Sequence, residues 1–200
     1  MNKLETFTHS DGMQDIFANF INKQKLNGVM IDIGCREPTI GNNSLLFLSK
    51  NWKCVGADIN DFSEQWEKYE NFKFNLMDTT IKENVDIIFD GLPNVIDFLS
   101  LDVDGASLKT LENIDFEKFK FRCMCVEHDF YWRGDSLRIP QRDIILSKGY
   151  SLVINTAAED WYVNYDLIDD DISDVLKNIP NHKEIVSNEM PNILKWLNLN

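Results

Sequence analysis

No apolar run approaches the roughly 18 residues a membrane-spanning helix needs, so no bilayer span is expected. Met1 to Ser10 carries no apolar stretch of the signal-peptide kind, and an intracellular, cytoplasmic protein is the expectation. Basic residues are scarce, with 20 Lys and Arg against 33 Asp and Glu, a net charge of −13. A surface of that sign repels phosphate backbones and anionic headgroups, which counts against nucleic-acid and membrane partners. Cysteine is limited to Cys35, Cys54, Cys123 and Cys125. Cys123 and Cys125 share one face of a strand, but no second Cys/His pair at zinc spacing lies near, so buried, reduced thiols are the plain reading. The glycine spacing G-x-G-x-x-G is missing, which argues against a dinucleotide whose pyrophosphate sits on a glycine-rich turn. There is no internal repeat, linker or low-complexity segment.

What is present is a series of short apolar runs that end in acids. Val29-Met30-Ile31-Asp32-Ile33 has buried-strand composition and stops at Gly34, whose backbone freedom suits a tight turn that a ligand can approach. Lys53 to Ile59 is a second strand tipped by Asp58, placed to accept hydrogen bonds from ribose hydroxyls. Phe72 to Leu76 alternates as a third strand, with Met77 and Asp78 after it. Ile96 to Leu101 is a fourth, followed by Asp102-Val103-Asp104-Gly105. Phe121 to Glu127 is a fifth, followed by His128-Asp129. Helical patterns fall between them. Ser10 to Leu26 presents Ile16, Phe17, Phe20 and Ile21 on one face, with Ser10 and Asp11 as candidate N-caps. Ser44 to Leu48 is short, with Asn42 or Asn43 as its cap, and residues 61–69 carry Phe62, Trp66 and Tyr69. Further helices are expected after Ala106 and over 136–148; residues 80–92 stay ambiguous. Tyr150 to Ile154 and Trp161 to Tyr165 read as a closing strand pair. Asp169-Asp170-Asp171 reads as a solvated face or cap, and 182–199 as a final helix carrying Ile193, Leu194 and Leu197.

Strands alternating with helices predict a parallel sheet covered on both faces. In an open sheet of that kind the strand C-termini lie along one edge, where ligands bind. Acids at four successive strand ends therefore point to one site. The competing structural readings are a plain turn at Gly34, capping by Asp58, Asp102 and Asp104, a satisfied core histidine at His128, and core packing of Trp132, Trp161 and Tyr162. Trp132, Trp161 and Tyr162 could instead stack on a sugar. Arg133 and Arg138 fit either an acidic substrate or surface ion pairs.

Asp32-Ile33-Gly34, the loop to Asn42-Asn43, and Trp52…Val55-Gly56-Ala57-Asp58 resemble the first two strands of the FkbM-type S-adenosylmethionine-dependent methyltransferases. Phe98-Leu99-Ser100-Leu101-Asp102-Val103-Asp104-Gly105-Ala106 with Leu108 and Leu111 is similar to that family's "LSLDVEGAE…L" signature. Val126-Glu127 and Ser10…Gln14-Asp15 also match its pattern. The resemblance covers roughly residues 10–165 of a chain read as one methyltransferase domain over 1–200, with 166–200 a C-terminal acidic and helical extension. The chain departs from the pattern at Cys35, Pro38 and Asp104.

The resemblance implies a class I, Rossmann-like α/β sandwich: a mostly parallel seven-stranded sheet with an antiparallel last strand. It implies S-adenosylmethionine and O-methylation of a sugar, glycan or small natural product. Asp32, Gly34, Asp58, Ile59, Met77, Asp78 and Asp102 are the expected cofactor-binding residues. His128 is the candidate base, with Asp102 beside the reacting groups. A divalent cation such as Mg²⁺ on Asp102, Asp104, Glu127 and Asp129 is the rival device. Two other classes stay open: a non-catalytic methyltransferase-like module, motivated by Pro38, and a nucleotide-sugar oxidoreductase. The acceptor and the oligomeric state, a homodimer included, are not fixed by these residues.

Overall fold

A computed structural model describes residues 8–39, 41–179, 184–185, 194–195 and 197. The sheet runs through β1 (Val29–Ile33), β2 (Lys53–Asp58), β3 (Phe72–Leu76), β4 (Val95–Leu101), β5 (Lys120–Glu127), β6 (Ser151–Thr156) and β7 (Glu159–Val163). Its spatial order is β3-β2-β1-β4-β5-β7-β6, and a two-residue strand β8 (Glu184–Ile185) pairs with β6 at the far edge. All neighbours are parallel except β7, which runs antiparallel to both β5 and β6. This is the expected mostly parallel sheet with an antiparallel last strand. The order reverses between β1 and β4, so their C-terminal ends flank the switch point where ligands collect in such sheets.

Alternation along the strands builds two cores. Met30, Phe98, Cys123 and Cys125 point to one face, against Ile16 and Phe17 of α1 (Gln14–Ile21), Phe47 of α2 (Leu45–Ser49), Trp66 of α3 (Ser63–Trp66) and Ile172 of α8 (Asp170–Lys177). Ile31, Ile33, Leu99, Leu101, Met124 and Val126 point to the other face. There they meet Val85 and Phe89 of α4 (Lys82–Phe89), Leu111 of α5 (Ser107–Asn113) and Ile145 of α7 (Asp135–Ser147). Burial of apolar area at about 25 cal/mol per Å² is what holds both layers to the sheet. One short helix, α6 (Phe130–Arg133), belongs to neither core. All four cysteines are buried and unpaired. No helix among the described residues is long and apolar enough to cross a membrane.

Several local expectations change. The first helix begins at Gln14, not Ser10, and its N-cap is Met13 in the left-handed region. Ser10 instead donates its hydroxyl to Asp15, 2.8 Å away. Asp15 also accepts from the Thr8 hydroxyl and the His9 amide, each at 2.7 Å. The Gly41 and Asn42 amides then donate to the His9 carbonyl, which ties residues 8–15 to the loop after β1. The N-cap of α2 is Ser44, not Asn42 or Asn43; Asn42 Oδ1 accepts the Ser44 amide at 2.9 Å in a turn just ahead of the helix. The acidic stretch at 169–171 opens α8, whose Ile172 and Leu176 are buried. Asp169 and Asp171 pair with Lys23. Trp161 and Tyr162 are core residues with no exposure. The final helix expected over 182–199 lies mostly outside the described residues; within them Leu197 is buried in the first core and Leu194 packs on it.

A buried polar network joins β7, β6 and α7 at the end of β5. Arg142 donates to both oxygens of Asp160, at 2.6 and 2.8 Å, and to Asn155 at 2.9 Å. The Tyr162 hydroxyl donates to Asp160 at 3.0 Å. Burial alone would raise the Asp160 carboxyl, but the Arg142 fork and the neighbouring His128 hold it below the usual carboxylate range. Removing one partner of a buried pair leaves an uncompensated charge. Arg142→Ala is therefore expected to cost about 3 kcal/mol in urea unfolding at pH 7. A folded carboxyl pKa below its unfolded value stabilises only at higher pH. The gap between variant and parent should therefore narrow as the pH falls below about 4.

Candidate functional site

The C-terminal ends of β1, β2, β4 and β5 open onto one crevice of about 450 Å³. Its walls include Gly34, Arg36, Asp58, Ile59, Met77, Asp78, Asp102, Asp104 and Glu127. Two backbone hydrogen bonds among three parallel strands, β1, β2 and β4, lock its floor. The Gly34 amide donates to the Ala57 carbonyl at 2.8 Å, and the Asp102 amide to the Ile33 carbonyl at 2.8 Å. Gly34 has φ +87°, and a Cβ there would lie 1.6 Å from the Asp102 carbonyl oxygen. The glycine is thus demanded by the protein's own backbone as well as by any ligand, because β4 leaves the sheet directly over it.

Asp58 lies at the tip of β2, 7% exposed and facing the crevice. It accepts the Arg36 amide at 3.0 Å and the Asn60 amide at 2.8 Å, with the Asn60 side chain at 3.3 Å. A carboxylate has about four acceptor positions, so room for a hydroxyl remains. The Arg36 peptide is pinned from both sides, for its carbonyl accepts the Trp66 indole N–H at 2.6 Å. Trp66 is itself stacked on Phe72 at 3.5 Å between ring centres. Arg36 adopts φ +47°, a left-handed backbone that a side chain pays strain to hold. No spacing in the sequence links residue 66 to residue 36; the contact exists only because α3 folds back over the loop after β1.

Beyond Asp58 the wall turns apolar, with exposed Ile59 and half-buried Phe62 and Met77. Asp78 follows, held below the usual carboxylate range by the Thr80 hydroxyl and amide. Arg36, Asn60, Phe62, Thr79, Val103 and Ala106 also line the crevice. Of these, sequence pattern could flag Asn60, two residues past the acid of β2, but not the rest.

Asp32 faces a separate recess of about 40 Å³, shared with Asp11, Gly34, Cys35, Asn42, Asn43 and Asp102. It is 2% exposed and accepts the Ser44 hydroxyl at 2.6 Å. Burial pushes its carboxyl up to about 6. Asn43 reaches across to donate to Ser100 at 2.8 Å. Pro38 lines neither space; it faces an outer groove with Thr39, Phe62 and Lys68.

Acids crowd the opposite end. Asp102 and Glu127 hydrogen-bond through their carboxyls, and Glu127 accepts the Asp104 amide at 3.0 Å. Glu127 is raised far above the usual carboxylate range by desolvation, the bond to Asp102 and repulsion from its neighbours. Asp102 is raised as well, chiefly by desolvation, despite its bond to Glu127. The pair therefore holds a proton at neutral pH. Asp104, Glu127 and Asp129 each bring one carboxylate oxygen within 4.8 Å of the others, a hard-oxygen set of the kind Mg²⁺ takes. Of the four acids expected for a cation, Asp102 stands outside this group. Asp104 and Asp129 both have positive φ, +50° and +52°.

His128 does not face the crevice. Its side chain has no exposure; Nδ1 accepts the Phe130 amide at 3.2 Å, and Nε2 lies 3.4 Å from Asp160. The expected base is a structural histidine here, turned inward because the residue after β5 continues the strand's buried face. Arg133 and Arg138 take the ion-pair reading, with Asp129 and Asp135.

No protein-family model matches this sequence, and no curated protein does either, so membership of the FkbM family is not shown. Solved structures do match. MycE, a methyltransferase from the mycinamycin biosynthetic pathway solved with Mg, S-adenosylhomocysteine and mycinamycin VI, aligns at TM-score 0.56 and 12% identity over 76% of this chain. This chain spans about half of it, 48%. A candidate rRNA-methylase from Clostridium thermocellum aligns at TM-score 0.53 and 12% identity, covering 80% of this chain and 97% of that one.

The chain has the class I methyltransferase fold. Within that fold Gly34, Asp58, Ile59, Met77, Asp78 and Asp102 share the crevice at the switch point, and Asp32 sits behind it.

Glu159 of β7 lies directly opposite Glu127 of β5 and accepts the Gln14 side chain at 2.6 Å. Burial, with repulsion from Asp102, pushes its carboxyl up to about 8. An acid raised on folding binds a proton that the unfolded chain has released. Its contribution is therefore lost as pH climbs from the ordinary glutamate range through about 8. Glu159→Gln keeps an acceptor for Gln14 and removes the charge. Its melting temperature at pH 9 should exceed the parent's by at least about 3 °C, roughly 1 kcal/mol for a chain this size, with little difference at pH 5.

Proposed function

We propose that this protein is an S-adenosylmethionine-dependent methyltransferase of FkbM type that methylates a hydroxyl of a sugar, glycan or small natural product. The reading rests chiefly on one observation: Gly34, Asp58 and Asp102, distant in sequence, line a single crevice at the switch point of a class I sheet. Asp58 is the ribose acceptor, fixed by the Arg36 and Asn60 amides. Ile59 and Met77 offer apolar surface to a purine, and Asp78 an acceptor for its amine. Asp102 brings negative charge toward the sulfonium, and carboxylates suit a cationic cofactor where a pyrophosphate would be repelled. The open crevice, clear of Pro38, favours an enzyme over an inert module.

The bound cofactor supplies a methyl on a sulfonium for in-line transfer to the acceptor oxygen. The chain's part is alignment and proton removal. With His128 turned away, the Asp102–Glu127 pair is the proton acceptor we assign among the carboxylates of the crevice. A carboxylate of the pair takes the hydroxyl proton as the carbon–oxygen bond forms. The rival device is Mg²⁺, which would be held by Asp104, Glu127 and Asp129 in place of the shared proton and would lower the acceptor's pKa. MycE, solved with Mg, supports that arrangement without assigning it. The acidic surface argues against an RNA acceptor, despite the likeness to a candidate rRNA-methylase. Buried, unpaired cysteines suit a reducing, cytoplasmic setting.

Titration calorimetry with S-adenosylhomocysteine tests the cofactor. Asp58→Ala should weaken binding at least about tenfold, the worth of a hydrogen bond to a charged group. Unchanged affinity removes Asp58 from the site, and no heat from the parent protein removes the reading. Trp66→Phe keeps the stack on Phe72 and deletes the donor to Arg36. It should cost about fivefold in adenosine affinity, about 1 kcal/mol, and much less for 2′,3′-dideoxyadenosine, since the defect is transmitted through the ribose acceptor.

A further inference from the structure

Tyr131 and Trp132 are the aromatic side chains left largely exposed among the described residues, at 67% and 61%. They sit on α6, in the turn between β5 and α7. Exposed aromatic rings forfeit burial, so a pair fixed in place beside a crevice calls for a partner. The fixing is explicit. The Arg133 guanidinium lies over the Trp132 ring, 4.0 Å from its centre. Arg133 Nε also donates to Asp129 at 3.2 Å, and the Trp132 amide donates to the Asp129 carbonyl at 3.1 Å. The Tyr131 amide is held by the Ala157 carbonyl in the β6–β7 turn at 3.1 Å. Arg133 also closes on the crevice rim, where a Cβ on Gly105 would lie 3.1 Å from its guanidinium. One face of the indole is thus braced by a cation that Asp129 anchors, and Asp129 belongs to the same carboxylate group as the crevice residues Asp104 and Glu127.

We propose that Trp132 is the platform for a sugar ring of the acceptor, stacking on the ring's C–H face while Asp104 and Glu127 of the crevice wall receive hydroxyls at its edge. Resting on the methyltransferase reading, the proposal selects carbohydrate from the acceptors that reading admits. A pyranose has an apolar face and a rim of donors. The site offers a flat apolar surface next to acceptors, with the Arg133 guanidinium turned onto the indole. A flat phenolic acceptor would use the ring but give a donor to one of the two carboxylates at most.

Saturation-transfer NMR with methyl α-D-glucopyranoside, methyl α-D-galactopyranoside and methyl α-L-rhamnopyranoside, in the presence of S-adenosylhomocysteine, tests it. The expected result is transfer to the ring C–H protons of at least one glycoside, lost in Trp132→Ala and kept in Trp132→Phe. No transfer to any of the three, or transfer unchanged in Trp132→Ala, overturns the platform. So does transfer to the flat phenol 4-methylumbelliferone alone. A thermal shift with S-adenosylhomocysteine is read in parallel and should be the same in parent and Trp132→Ala. Glycoside contact without that shift in the parent would keep the platform and remove the methyltransferase. The shift without glycoside contact would do the reverse.

Discussion

The Asp102 carbonyl occupies the space that a side chain on residue 34 would need, and the shape of the site follows from that contact. Parallel strands β1 and β4 end together because the Asp102 amide closes onto Ile33. Only a residue without a Cβ can sit beneath the departing chain. Gly34 then turns the backbone so that Arg36 presents its amide to Asp58. In this way a steric demand between two strands fixes the carboxylate at the end of a third. The crevice is shaped by chain crossings, and side chains fill in its chemistry.

The second constraint is electrostatic. Asp102, Asp104, Glu127, Asp129 and Glu159 meet at one end of the sheet, where five full charges would repel one another strongly. The fold relieves this by a shared proton on Asp102 and Glu127, by Arg133 on Asp129, and by a raised carboxyl on Glu159. Asp160, next in the chain, is the opposite case. Arg142 keeps it ionised and structural, and the side chains of Glu159 and Asp160 fall on opposite faces of β7. Adjacent acids thus serve different ends because strand geometry sends one toward Gln14 and the other into the network with His128.

Legibility in the sequence followed the same division. Strands announce themselves by apolar runs, and acids at the ends of parallel runs fall on one edge; so the convergence of Asp58, Asp78 and Asp102 on one crevice was legible. The helix on 80–92 stayed ambiguous because apolar residues occupy several faces at once. The first helix was read too early, since Ser10 has the chemistry of a cap while its hydroxyl goes to Asp15. His128 misled for a deeper reason. Its position at a strand end matched the acids, but residue 128 continues the alternation of β5 and falls on the same buried face as Met124 and Val126. Trp66 and Arg36 were invisible because their bond joins elements that nothing local connects.

The two halves of the site differ in what holds them, and that difference bears on function. The half around Gly34 and Asp58 is built from strand ends and backbone amides, which a sheet of this topology positions however its surface varies. The half around Asp129 to Arg133 hangs on a four-residue helix outside both cores, secured by an ion pair, two carbonyls of the β6–β7 turn and the Arg138 guanidinium over the Phe130 ring. Such a segment can change sequence without disturbing the sheet, because little buried apolar area depends on it. A common methyl donor and a variable acceptor place opposite demands on a protein. Under the proposed function the sheet would meet the first, and the one place among the described residues where aromatic rings are left in solvent is where the second would be met.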